Sequence, residues 1–196
     1  MGQFIVIEGV DGIGKSTLAR QLVALFNEIG KRAVLLSFPR KNTPTGRVLD
    51  SYLSGQLPRL NAFELHRLFL KNRMEALAEI EHLLDAGTII VCERFWMSGV
   101  AYSIARGLDV NWCTEYEPEE IKLIPDVTVL LDGIDVALET EKEKGEFTRK
   151  EYFMRQVSQN FNELFARTKN PGKYIKIELR KHGDIHRDVF SLINKI

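Results

Sequence analysis

The apolar run Phe4-Ile5-Val6-Ile7 is closed by Glu8 and followed at once by Gly9-Val10-Asp11-Gly12-Ile13-Gly14-Lys15-Ser16-Thr17, which contains the pattern G-x-x-x-x-G-K-S from Gly9 to Ser16. Such a loop needs a strand before it and a helix after it, so the motif restricts the fold as well as the ligand. Gly9, Gly12 and Gly14 permit positive φ, which lets successive amides turn inward around a phosphate. Lys15 adds a point charge, and Ser16 offers a hydroxyl to Mg2+. The helix expected from Ser16 to about Ile29 directs its positive dipole end at the same anion. Leu18, Leu22, Leu25, Phe26 and Ile29 recur at helical spacing and supply its apolar stripe. An incidental glycine-rich turn would have neither flank. The nine residues from Gly9 to Thr17 are therefore the expected triphosphate-binding set, with a nucleoside triphosphate as ligand.

Four more apolar, β-rich runs follow, at Ala33 to Phe38, Thr88 to Cys92, Val127 to Leu131 and Tyr174 to Ile177. Helical spacing separates them, and the runs are continuous rather than alternating. Strands of that kind are covered on both faces, which predicts an α/β fold: a doubly wound, parallel, five-stranded sheet with helices on both faces. Ligands in such folds sit beyond the carboxyl ends of the strands. The residues just after each run are accordingly the first candidates for chemistry.

A length of 196 residues with 44% hydrophobic content suits one well-buried domain. The 27 basic residues balance the 27 acidic ones without a block of like charge, so neither nucleic acid nor a membrane surface is indicated as a partner. Small molecules are. The two cysteines, Cys92 in an apolar run and Cys113 beside Trp112, lack metal-ligand spacing and read as thiols in a reducing compartment. The chain enters a strand almost at once and has no apolar stretch near the ~20 residues of a membrane span, so a cytoplasmic enzyme is expected. Residues 139–150 are strongly charged and have no apolar stripe. They read either as a solvated helix end or as a lid that closes basic side chains over phosphates.

Four further segments occur in order: Phe38-Pro39-Arg40, Leu68-Phe69 with Asn72-Arg73, Glu93-Arg94-Phe95 with Ser98-Gly99-Val100-Ala101-Tyr102, and Pro125-Asp126 before a strand. Together with the phosphate loop they make the chain resemble thymidylate kinases, from Phe4 to about Leu131 and more loosely beyond. The resemblance implies a phosphate-loop kinase fold, ATP and Mg2+ as cofactors, dTMP as acceptor and a homodimer packed through helices, including the one bearing Phe69. It implies an acceptor site of Asp11, Phe38, Pro39, Arg40, Lys41, Phe69, Asn72, Arg73, Arg94, Ser98 and Tyr102. Arg40 or Lys41 would contact the acceptor phosphate. Phe69 would stack on the base and Arg73, four residues on and on the same helix face, would donate to a ring carbonyl. Asp11 would lie near the sugar 3'-hydroxyl, Tyr102 under the deoxyribose, and Ser98 at the base or its waters. A single helical pattern over residues 62–86 carries this segment, with Leu65, Leu68, Phe69, Leu77, Ile80 and Leu84 mostly toward the core.

Catalysis in such an enzyme rests on positioning and charge. Lys15, Arg94 and Glu93 are the candidates near the loop, with Ser16 and Glu93 as metal ligands. The resemblance implies that donor-side charge comes either from an Arg in the loop or from the lid; Gly12 and Ile13 are uncharged, which leaves the lid, through Lys142, Lys144 or Arg149, of which Arg149 alone is a bidentate donor. Arg180 and Lys181 after the last run are candidates for adenine contacts. Two alternatives stand beside this reading. Glu93, where the family usually has Asp, resembles the carboxylate that deoxynucleoside kinases use as a base on a sugar hydroxyl. The same substitution, the Arg40-Lys41 register and the lysine-rich lid together suit a catalytically silent nucleotide-binding homologue.

Overall fold

The computed structural model describes residues 2–142, 149–168, 172–179 and 185–194, with the side chains of residues 139–142 and 149 outside that description. Five strands form one parallel sheet in the order β2-β3-β1-β4-β5, from β1 (Gln3–Glu8), β2 (Ala33–Ser37), β3 (Ile89–Glu93), β4 (Val127–Asp132) and β5 (Lys173–Glu178). All five expected runs are strands of this sheet. The central three are continuously apolar because both their faces are covered; Phe4, Ile5, Val6 and Ile7 of β1 are all buried. The edge strands are less enclosed, and Leu35 of β2 is 40% exposed.

Register decides where the site lies. Ile7 and Ser37 both pair with Glu93, and Glu8 pairs with Leu130. The residues that follow β1, β2 and β3 therefore emerge side by side at one edge of the sheet. The chain moves from β1 outward to β2, returns to β3, then crosses to β4 on the other side of β1. That reversal opens a crevice beyond the carboxyl ends of the strands. Asp126 latches β4 to β1: its carboxylate accepts the Phe4 amide at 2.7 Å, and its own amide donates to Phe4 O at 2.9 Å.

Helix α1 (Lys15–Glu28) begins one residue earlier than its stripe predicts, with Leu18, Leu22 and Phe26 buried. Helix α2 (Pro44–Leu53) follows β2. The single helix expected over residues 62–86 is two, α3 (Ala62–Met74) and α4 (Leu77–Asp85). Ala76 N donates to Arg73 O, an i−3 rather than i−4 carbonyl, and the Glu75 carboxylate accepts the Thr45 hydroxyl at 2.7 Å. A tertiary bond to α2 thus anchors the break that periodicity does not show. Asn61 and Glu64 fix the start of α3 as a reciprocal capping box. Helices α5 (Trp96–Ala105) and α6 (Val110–Ile121) follow β3, α7 (Ile134–Lys142) and α8 (Arg149–Arg167) lie between β4 and β5, and α9 (His186–Asn194) packs on α1 through Phe190 and Phe26.

Candidate active site

The phosphate loop has the backbone its glycines were expected to allow: φ is 141° at Gly9, 79° at Gly12 and 96° at Gly14. Gly9 also has no room for a side chain, since a Cβ would collide with Leu131 O of β4. Val10 and Ile13 are buried, so these two contribute only backbone to the loop, while Gly12 and Thr17 are exposed. Lys15 donates to Val10 O at 2.6 Å, and Ser16 donates its hydroxyl to Glu93 Oε1 at 2.8 Å. Burial, and then the charge of Arg94, bring the Lys15 ammonium down to about 7. The negative charge of a bound phosphate would oppose both effects by favouring the charged ammonium.

Arg94 is the hinge of the arrangement. It has φ 67°, a left-handed conformation uncommon for a residue with a side chain. Its amide donates to Ile7 O at 2.9 Å, which ties the turn after β3 to β1. Its guanidinium donates to Gly9 O at 3.2 Å and Ser98 Oγ at 3.1 Å, and pairs with the Asp11 carboxylate. The Tyr102 ring lies 5.4 Å from the same guanidinium, and its hydroxyl donates to Asp11 at 3.0 Å. Burial would raise the Asp11 carboxyl, but Arg94, Lys15, Tyr102 and Lys150 hold it below its usual value.

Beside this group a cavity of about 200 Å3 opens between α3 and α5. Phe38, Pro39, Phe69, Arg73, Ser98 and Tyr102 line it, with Asp11 and Arg94 at the phosphate-loop end. The expected acceptor residues are therefore brought together, with three exceptions. Asn72 is fully buried and its amide is spent on the chain: it accepts the Arg40 amide at 2.7 Å and donates to Arg40 O, Thr43 Oγ1 and Thr45 Oγ1. It shapes the loop after β2 and is absent from the cavity wall. Arg40 turns to Glu79 at 3.0 Å and Lys41 to Asp50 at 2.7 Å, so neither lines the cavity. Lys144, Arg180 and Lys181 lie outside the described residues, as do the side chains of Lys142 and Arg149.

Three polar residues escaped the sequence reading. Glu8 is fully buried, with Oε1 accepting the amides of Phe95 and Ser98, and Oε2 the Ser98 hydroxyl. It caps α5 from the neighbouring strand, and burial raises its carboxyl despite those bonds. Its place at the end of an apolar run, just before Gly9, was a usable signal. Glu117 is fully buried and ion-paired to Arg73; burial lifts its carboxyl to about 7 against the opposing pull of that guanidinium. His66 lies within 2.9 Å of Ser103 Oγ through Nδ1, and burial brings it down to about 4, so the ring is neutral near pH 7. Helical spacing could have found both. Glu117 shares a face with buried Cys113 and Ile121, and His66 shares one with Phe69 and Arg73.

The model of the thymidylate kinase family matches residues 7–189. The chain belongs to the thymidylate kinase family. It is 36% identical over 151 residues to the thymidylate kinase of Arabidopsis thaliana, a match that covers 77% of this chain and 55% of that protein. The chain thus spans little more than half the length of that relative. Against the thymidylate kinase of Schizosaccharomyces pombe it is 30% identical over 198 residues, covering 100% of this chain and 93% of the other. The solved thymidylate kinase of Candida albicans superposes with a TM-score of 0.78 at 26% identity, covering 99% of this chain and 92% of that one. Within a thymidylate kinase fold, the doubly wound sheet and its crevice are thus as the sequence predicts.

Proposed function

We propose that this chain transfers the terminal phosphoryl group of ATP to dTMP, giving ADP and dTDP. The observation that carries the reading is the position of the Asp11 and Arg94 pair, between the phosphate loop and a cavity walled by Phe69, Arg73, Ser98 and Tyr102. A nucleoside monophosphate laid there, base toward Arg73, would bring its phosphate to Arg94. A phosphate oxygen of dTMP attacks the γ-phosphorus of ATP and the bond to the bridging oxygen breaks. The second ionisation of a phosphate monoester lies near pH 6, so the attacking oxygen needs no strong general base. Lys15 and Arg94 neutralise the transferring group, while residues 143–148 of the expected lid lie outside the described residues.

Ser16 Oγ and the Glu93 carboxylate are hard oxygen donors 2.8 Å apart, a set that fits Mg2+, which takes few protein ligands beside phosphate oxygens and water. When bound, the ion supplies neutralisation of phosphate charge. The same bond speaks against the deoxynucleoside kinase alternative. Glu93 is engaged with Ser16 and does not line the acceptor cavity, where a base for a sugar hydroxyl would have to stand. Intact Lys15, Ser16 and Arg94 favour an active enzyme over a silent homologue.

The reading extends to a single domain, a homodimer packed through α3, where Phe63 and Met74 are exposed, and a cytoplasmic location. Among the described residues no helix is long and apolar enough to cross a membrane, and Cys92 and Cys113 are buried free thiols. ADP release with ATP and Mg2+, compared for dTMP, dUMP and thymidine at equal concentration, tests the assignment. Turnover is expected with dTMP, more weakly with dUMP because one methyl group is worth only about 1 to 3 kcal/mol, and least with thymidine. A preference for thymidine would overturn it.

A further inference from the structure

Helix α6 carries Glu115, Glu117, Glu119 and Glu120. Three of these carboxylates face water, as a charged helix face should, and Glu117 alone is fully buried. Its partner Arg73 is buried as well, with side-chain exposures of 0% for Glu117 and 3% for Arg73. Taking two charges out of water is costly, and a well-packed apolar pair often serves stability as well or better. Stability is therefore a weak reason for the pair to exist.

The surroundings supply a stronger one. Arg73 lines the acceptor cavity, whereas Glu117 stands behind it and does not reach the cavity wall. Arg73 Nε and Nη2 and both Glu117 oxygens have no hydrogen-bond partner among the described residues, so the two side chains are held together as an ion pair. Gly99 of α5 closes the third side, and a Cβ there would collide with the Arg73 guanidinium and the Glu117 carboxylate together. On the fourth, His66 Nε2 is 3.9 Å from Glu117 Oε2, with its other nitrogen held at Ser103. The guanidinium is thus gripped from behind and left with donors in hand.

We propose that Glu117 is a positioning residue for acceptor recognition: it fixes the direction in which Arg73 presents its N–H groups, and so selects a pyrimidine with a carbonyl at ring position 4 over one with an amino group at that position. The proposal rests on the acceptor reading given above. Guanidinium nitrogens donate and cannot accept, so a carbonyl pairs with Arg73 and an amino group leaves both sides unpartnered. A guanidinium free to swing loses that distinction even though its charge remains.

The test is Glu117→Gln in the full chain, with dTMP and dCMP as acceptors. KM for dTMP should rise about tenfold while kcat changes less than about twofold, and the preference for dTMP over dCMP in kcat/KM should narrow about tenfold. KM for ATP should not move. Glu117→Asp, which keeps the charge on a shorter arm, should fall between the two and decides the question if the Gln variant does not fold. A folded variant with unchanged KM and unchanged acceptor preference would overturn the proposal. Calorimetric titration of dTMP without ATP separates it from the activity on which it rests. Binding by the wild type that weakens about tenfold in the variant supports positioning even if no product forms; equal behaviour of the two proteins overturns it.

Discussion

At the phosphate-loop end of the crevice, Lys15 is buried against a backbone carbonyl, and burial with the like charge of Arg94 outweighs the carboxylates of Asp11, Glu93 and Glu8, bringing its ammonium to about 7. At the base end, Arg73 is buried too, but Glu117 balances it and the adjacent His66 is neutral. The difference matches the two kinds of ligand. A buried ammonium held by a backbone carbonyl suits the negative charge of phosphates. At the other end the buried Arg73 and Glu117 pair suits an uncharged base, to which it can offer directed donors. The loop gains its order from one continuous segment, whereas the pocket is walled by α3, α5 and the turn after β2 and backed by α6, so damage to the two ends should read out differently.

The largest expected effect is at the loop. Lys15→Ala should lower kcat by about 10^3 or more, with dTMP affinity little changed by direct titration. Comparable losses in both would mean that the two ends are not separable. Next comes Arg73→Ala, which should raise KM for dTMP by about 10- to 100-fold with a smaller change in kcat, measured in steady state at saturating ATP. It should also lower the melting temperature, because Glu117 is left buried without its partner.

Gly99→Ala sharpens the contrast further, since it touches neither ligand charge directly. Forcing a methyl group against the Arg73 and Glu117 pair should cost about 1 to 3 kcal/mol in denaturant unfolding and weaken dTMP while sparing ATP. The smallest effect is a pH dependence. The Glu117 carboxyl lies near 7 in the folded protein against an ordinary 4.5, so across that interval the folded state holds more protons than the unfolded chain. Its contribution to stability therefore falls as pH rises from about 4.5 to 7. The unfolding free energy between pH 5 and 8 should decline less in Glu117→Gln than in the wild type, by on the order of 1 kcal/mol, as read from denaturant titrations. Parallel curves would show that Arg73 keeps the carboxylate ionised throughout.

Much of this site could be read before any coordinates. The loop, Phe69, Arg73, Arg94, Ser98 and Tyr102 all converge, because each follows a strand or shares a helix face and the parallel register aligns those ends. Asn72 shows the limit. Its neighbourhood in sequence pointed to a ligand, yet its amide is consumed by the loop around Arg40 and the threonines of the α2 end. Hydrogen-bond partners 27 to 32 residues away leave no trace in local spacing. Arg40 and Lys41 teach the same lesson through Glu79 and Asp50.

The strand-loop-helix that cradles a phosphate, the five strands in chain order with the central ones buried, and the face shared by Phe69 and Arg73 are all legible in the amino-acid sequence. Periods of two and 3.6 residues and the conformational freedom of glycine are properties of the local chain. Packing of distant elements is what makes Glu8 cap a helix from another element, breaks the pattern over residues 62–86 at Ala76, and sets Glu117 behind Arg73. Each of those depends on desolvation and on partners distant in sequence, and burial of a charge has no meaning until the elements that enclose it have packed.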